Sequence, residues 1–130
     1  TGGVSIQGGA FITGGLTVVG TLLYNTMLTF TSSDRRLKTN IVPINQALNK
    51  VTQVNGVYFN WIQNEPTGRV FDKRRHVGVL AQDLEKVLPE VVHSDGKYLS
   101  VDYESIVALI IEAIHELEQL TKTSISDPLE

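Results

Sequence analysis

The stretch Thr31-Ser-Ser-Asp-Arg-Arg-Leu-Lys-Thr-Asn40 is where two kinds of sequence meet. Before it, most of the glycines fall in steps of six: Gly2-Gly3, Gly8-Gly9, Gly14-Gly15, then a single Gly20. Cut on that period, the segment reads GGVSIQ, GGAFIT, GGLTVV, GTLLYN, TMLTFT. The third place holds Val4, Ala10, Leu16, Leu22 and Leu28, and the fifth holds Ile6, Ile12, Val18, Tyr24 and Phe30, so one face of a period-two strand is apolar throughout. The places between are mostly Ser, Gln, Thr and Asn. A short fixed period with strand alternation marks a β-solenoid or fibre, in which one unit cannot bury its own apolar face.

Residues 1–32 are too few to enclose a core from a single chain, so other chains must supply the rest. Three copies around one axis would bury the alternating face and pair the strand edges that otherwise invite aggregation. The expectation for 1–32 is therefore the end of a trimeric, triple β-helix-like stem. A glycine-rich linker is the plainer reading, but linkers are polar and do not keep two apolar places in five successive units.

Composition narrows the possibilities. A chain of 130 residues holds one modest core, and its net charge of −3 gives no overall pull toward nucleic acid or an anionic membrane. The absence of cysteine excludes disulfides and thiolate metal sites. No signal peptide is visible, and the apolar run Ile106-Val-Ala-Leu-Ile-Ile111 is too short to span a bilayer, so a soluble protein is expected. The opening in mid-pattern at Thr1-Gly-Gly, without an initiator methionine, suggests a piece of a longer chain.

After the junction the texture becomes that of a small α+β unit. Pro43-Ile-Asn-Gln-Ala-Leu-Asn-Lys-Val51 predicts a short helix, and Asn55-Gly56 a turn into a strand Val57–Trp61. The polar run Asn64–Arg75 reads as an exposed loop; its cluster of Arg69, Lys73, Arg74 and Arg75 lacks interleaved aromatics and fits solvated surface better than a nucleic-acid patch. His76–Leu80 predicts a buried strand, Ala81–Leu88 a helix stopped by Pro89, and Val91–His93 with Tyr98–Val101 a hairpin around Ser94-Asp-Gly-Lys97.

The last helix is predicted from an Asp102 N-cap to about Lys122, with 123–130 as a flexible tail. Two apolar rows run along it: Tyr103, Val107, Ile110, Ile114, Leu117, and Ile106, Ile110, Ala113, Leu117, Leu120. One row suits the domain and the other suits partner helices in a trimeric bundle.

At the junction, Ser33 offers a hydroxyl nucleophile and Lys38, five places on, an amine base. The amine must be neutral to accept the proton, and burial or the adjacent Arg35 and Arg36 would favour that form. Five residues apart, the two side chains lie on opposite faces of a strand and well around a helix from each other. Either a turn folds Lys38 back or one chain's lysine serves its neighbour's serine. The plainer alternative is that Ser33 caps a turn while Asp34, Arg35 and Arg36 solvate the joint. His76, His93 and His115 show no ligand spacing, so neither a metal nor another cofactor is expected.

Ser33-Asp-Arg-Arg-Leu-Lys-Thr-Asn-Ile41 resembles the S-D-x-x-L-K start of the intramolecular chaperone domain of phage endosialidases and tail fibres or spikes, peptidase family S74. The likeness continues through Tyr58-Phe-Asn-Trp61, His76-Val-Gly-Val-Leu-Ala-Gln82, Leu88-Pro-Glu-Val91 and Val101-Asp-Tyr-Glu-Ser-Ile106, spans about Ser33 to Leu120 and ends in an apolar helix, so the chaperone domain is expected over 33–122. The resemblance implies a homotrimeric module that templates an upstream β-fibre of the same polypeptide in the host cytoplasm and then cuts itself off a virion tail fibre or spike. Carried onto this chain, Ser33 attacks the carbonyl of Ser32 and Lys38 is the base. His76 matches a histidine implicated in processing, though a structural histidine at a strand edge fits equally, and Asp34 with Leu37 would position the turn. Tyr103, Ile106, Val107, Ile110, Ile114 and Leu117 would line the trimer helix. Two other readings stand beside it: a permanent receptor-binding fibre tip that never cleaves, and a membrane-bound transcription factor with a similar internal chaperone, which the glycine hexads disfavour.

Overall fold

In the computed structural model, which describes residues 2–126, the chain divides between Ser33 and Asp34 into two units. The first contains no helix or hydrogen-bonded strand among its described residues. It bends instead at Gln7-Gly8, Thr13-Gly14, Val19-Gly20 and Asn25, once per hexad. Gly8, Gly14 and Gly20 carry φ of 101°, 107° and 118°, a region that side chains with a Cβ rarely adopt. All three are the first glycine of their hexad. The second glycine has no such duty, which explains why GTLLYN keeps Gly20 and replaces its neighbour with Thr21. Along the segment the apolar side chains remain exposed, Val19 to 97% and even Met27 to 44%, because a lone extended segment has no ladder partner and nothing to pack on.

The second unit is α+β. A 3-10 turn (Arg35–Leu37) leads to α1 (Ala47–Val51), β1 (Gly56–Phe59), β2 (His76–Val79), α2 (Ala81–Val87), a second 3-10 turn (Pro89–Val91), β3 (Val92–Ser94), β4 (Leu99–Val101) and α3 (Tyr103–Ser126). β1 and β2 pair antiparallel from Gly56↔Val79 to Phe59↔His76, and β3 and β4 from Val92↔Val101 to Ser94↔Leu99. The pairs form two separate two-stranded sheets.

Several boundaries differ from the sequence expectation. The helix foreseen from Pro43 starts only at Ala47, because Gln46 takes a left-handed conformation at φ 50°. No side chain of its own caps it. The Glu116 carboxylate on α3 reaches across instead and accepts the Leu48 N–H at 3.0 Å. β1 stops at Phe59 rather than Trp61, where the ladder with β2 ends.

The packed core joins α1 to α3. Ala47, Leu109 and Ala113 are buried, with Ile44, Leu48, Val51 and Leu88 around them. The domain-facing stripe of α3 is therefore Ile106, Leu109, Ala113 and Glu116, with Ile106 and Glu116 half-buried. Neither predicted row contained Leu109, and Ile110, Leu117 and Leu120 of the second row stay exposed. Tyr103, Val107, Ile110, Ile114 and Leu117 form a second exposed stripe. The helix opens on the predicted cap, with the Ser105 hydroxyl 2.6 Å from the Asp102 carboxylate. It continues to Ser126, four residues beyond its predicted end, and 127–130 of the expected tail lie outside the described residues. Among the described residues, no helix is long and apolar enough to cross a membrane.

Candidate functional site

The junction motif folds on itself. Asp34 caps the first 3-10 turn by accepting the Arg36 N–H at 2.9 Å, and its carboxylate also holds the Arg36 guanidinium through Nε at 3.1 Å and Nη2 at 2.9 Å. The Asp34 carboxyl is lowered by the Arg36 side chain and then by its backbone N–H. Leu37 and Lys38 close the turn with backbone bonds to Asp34 at 3.0 Å and Arg35 at 3.1 Å. The D-x-x-L-K spacing is thus one turn with a built-in cap. Ser33 closes the first unit and Lys38 follows the turn in the second, and both are exposed. Leu37 projects outward from the same turn.

His76 opens β2 directly across from Phe59. Its ring stacks on Phe59 (5.5 Å, 22°) and meets Trp61 at 5.9 Å and 60°, while Trp61 stacks on Phe71 at 4.3 Å and 13°. The Nε2–H donates to Asp72 at 2.7 Å, a tautomer assigned because an ionised carboxylate only accepts. Asp72 also accepts the Arg74 N–H at 3.0 Å. Its carboxyl is lowered chiefly by the His76 hydrogen bond and further by Arg74. Asp72 and Phe71 were not legible from sequence: both lie in the polar loop between the strands, whose path back to β2 is set by ring stacking that no short-range pattern encodes.

The basic loop is engaged within the domain. Arg69 pairs with Asp95 at 2.7 Å and Arg75 lies 3.7 Å over the Tyr58 ring. Glu65 accepts from Thr67, from the Arg69 N–H at 3.1 Å and from the Tyr98 hydroxyl at 2.9 Å. Desolvation raises the Glu65 carboxyl, but these hydrogen bonds together outweigh it and hold it down to about 2. Asp95 is also held to about 2, by the N–H groups of Tyr98 and Lys97 and by Arg69. The loop is thereby clamped to the β3–β4 turn beside a cavity of about 540 Å³ lined by Trp61, Phe71, Leu80, Gln82 and Tyr103 among others.

Tyr103 joins helix to strand. Its hydroxyl accepts the Val79 N–H at 3.2 Å, and a Cβ on Gly78 would stand 2.5 Å from that oxygen. Glycine in His76-Val-Gly-Val79 therefore makes room for the start of α3. Among the described residues, no group of three or more His, Cys, Asp or Glu side chains is placed to hold a metal ion.

Comparison with known proteins locates this unit. The profile of the family described as chaperone of endosialidase, peptidase S74, matches residues 33–93. The chain is 34% identical over 104 residues to the long tail fiber protein Gp37 of Enterobacteria phage K3, covering 69% of this chain and 7% of that protein. Against Gp37 of Enterobacteria phage M1 the identity is 37% over 95 residues, covering 69% of this chain and 37% of the relative. Gp37 of Escherichia phage AR1 is 27% identical over 117 residues, covering 85% of this chain and 10% of that protein. The chain thus spans well under half the length of these relatives. The profile begins on Ser33, the residue at which the glycine hexads have given way to the capped turn, and the segment it covers belongs to the chaperone-of-endosialidase family, peptidase S74.

Proposed function

We propose that this chain belongs to a phage tail fibre or spike: three copies associate, residues 33–122 template the β-stem ahead of them, and the chain then cuts itself between Ser32 and Ser33. In this reading Ser33 is the nucleophile, Lys38 its base, and His76 a third participant. Assembly takes place in the host cytoplasm and the stem stays with the virion. The observation that carries the proposal is a coincidence of boundaries: the hexad repeat, the compact unit and the family segment all change over within Thr31–Asp34.

The exposed stripe of α3 supports association. Tyr103, Val107, Ile110, Ile114 and Leu117 follow alternating steps of four and three, which places isoleucine at both kinds of heptad core position, a choice that favours three or more strands over two. The stem supplies a second reason, since its alternating apolar side chains are uncovered within one chain. A helical module that associates quickly would hold three slow-pairing strands in register, and cleavage would afterwards make stem opening hard to reverse.

A denaturing gel tests the cut. Wild-type chains should yield two fragments, with Ser33→Ala and Lys38→Ala each remaining whole. Coexpression of those two variants separates the geometries: fragments from the mixture mean a site shared between chains, and none mean a dyad within one chain. Wild-type chains that stay whole after prolonged incubation would instead favour a non-cleaving receptor-binding tip, a reading suggested by relatives named simply as tail fiber proteins.

A further inference from the structure

We propose that Asn55–Gly56 modifies itself: the Gly56 nitrogen closes on the Asn55 side chain, and the resulting succinimide reopens to aspartyl and isoaspartyl forms, the second of which unpairs the start of β1. Asparagine is a heat-labile side chain, and ring closure is easiest where the next residue has no Cβ to crowd its nitrogen. Of the seven asparagines only Asn55 precedes glycine; the others precede Thr26, Ile41, Gln46, Lys50, Trp61 and Glu65. The fold leaves the pair open. Asn55 is exposed, lies between α1 and β1 outside both, and its side chain makes no hydrogen bond among the described residues. Around Gly56, nothing stands within 4 Å of the place a Cβ would take. Opposite it, the Val79 N–H is given to the Tyr103 hydroxyl. In the alternation of an antiparallel ladder, an N–H turned outward marks a pair that exchanges no hydrogen bonds. The Gly56 N–H therefore also turns away from β2, toward an edge of β1 that no other strand covers among the described residues.

Asp95–Gly96, the corresponding acid pair, is protected by its surroundings. The Gly96 N–H is donated to Ser94 Oγ at 3.0 Å, which occupies the nitrogen that would attack. The Asp95 carboxyl is held ionised by the N–H groups of Tyr98 and Lys97 and by Arg69, and an ionised carboxylate resists attack by an amide nitrogen. At Asn55 neither guard is present. There the Gly56 nitrogen gives its proton to water and adds to Asn55 Cγ; the side-chain amide nitrogen takes a proton and leaves as ammonia. Water then adds to one of the two ring carbonyl carbons, whose bond to the Gly56 nitrogen breaks as that nitrogen regains a proton. Opening at Cγ gives aspartate in an ordinary chain. Opening at the main-chain carbon routes the backbone through Cβ and Cγ, one methylene longer. Either product adds a negative charge, but only the second shifts Gly56 against Val79 and so disturbs the ladder that begins there.

The test keeps the assembled full chain in warm, mildly alkaline buffer made with ¹⁸O-water, then maps its peptides by mass spectrometry, with isoaspartyl methyltransferase marking the lengthened bonds. The expected result is an ¹⁸O-bearing acid at position 55 in both forms, with the other asparagines still amides. Gly56→Ala, which has room for its methyl, should lose most of the conversion while urea unfolding shows the fold retained. Asp95→Asn supplies a second asparagine–glycine pair. Position 95 should convert more slowly than position 55 in the folded chain and at a matching rate in urea. In the isoaspartyl form the amides of Val57 and Phe59 should exchange faster, and those of Leu109 and Ala113 as before. An Asn55 amide that converts only in urea, a Gly56→Ala chain that converts as fast as wild type, equal rates at 55 and 95 in the folded chain, or unchanged exchange in β1 overturns the inference. Residues 55 and 56 share one fragment whether or not the chain is cut at Ser32–Ser33, so the outcome is independent of self-cleavage.

Discussion

Replacing Ile114 by alanine separates the two faces of α3. Ile114 is 57% exposed within one chain, so a seam between helices would bury about half of its side chain anew. Removing an isoleucine's extra carbons forfeits about 0.8 kcal/mol per methylene equivalent, and with half of the surface at stake this comes to roughly 1 kcal/mol per chain. Three chains lose about 3 kcal/mol, which lowers the overall association constant by roughly 100-fold. The stability of the dissociated domain should move by no more than about 0.5 kcal/mol, because Ile114 is mostly exposed within one chain. Leu109→Ala is the control. Leu109 is fully buried against α1, and its truncation should destabilise the domain by about 2–5 kcal/mol whatever the protein concentration. Sedimentation equilibrium reads association and urea unfolding across a hundredfold dilution series reads stability. If Ile114→Ala leaves association unchanged, or weakens folding equally at every concentration, the exposed stripe is not a seam.

Other expectations follow from single contacts. Gly78→Ala should displace the Tyr103 hydroxyl from the Val79 N–H and destabilise by about 1–2 kcal/mol in urea unfolding, while Gly56→Ala, with open space at its Cβ, should change little. Glu116→Ala leaves the Leu48 N–H without its cap and should lower stability by about 1 kcal/mol by the same measurement. Gly20→Ala, at φ 118°, should strain every stem bend it occupies and slow stem assembly more than a substitution at Gly15, whose backbone is ordinary. Glu65 and Asp95 fall to about 2 from 4.5 and 3.8 on folding, so folding favours their ionised forms. Their contribution is complete above about pH 5 and is lost as the pH falls through 4 toward 2. The loop should therefore leave the β3–β4 turn over that acid range, visible in the amide signals of Lys97 and Tyr98, and Asp95→Asn should remove much of the pH dependence.

What could be read from sequence was what repeats or stays local. The hexad period was legible, although it was read as an alternating strand and the structure shows a bend once per hexad, and the Asp102 cap, the Pro89 stop and the hairpin around Asp95-Gly96 all act over a few residues. The choice of the first glycine over the second was hidden, since only φ distinguishes them. Leu109 escaped because a helix with apolar residues on more than one side admits several rows, and packing on α1 decides which one is buried. The α1 start and the Asp72–His76 pair were illegible for a related reason: each depends on a partner from elsewhere in the fold, Glu116 across 68 positions for α1 and a loop closed by Trp61 and Phe71 for the pair. The S-D-x-x-L-K motif lies between these cases: its turn is written in six consecutive residues, but the capping side chain is Asp34, where the plainer sequence reading had Ser33.

The most direct test is the mass and N-terminal sequence of the chain after assembly, with Ser33→Ala beside it. The expected result is a fragment that begins at Ser33 and a companion ending at Ser32 in wild type, with the variant intact. A wild-type chain that keeps its full mass, or a variant cut at the same bond, would contradict self-cleavage at this junction.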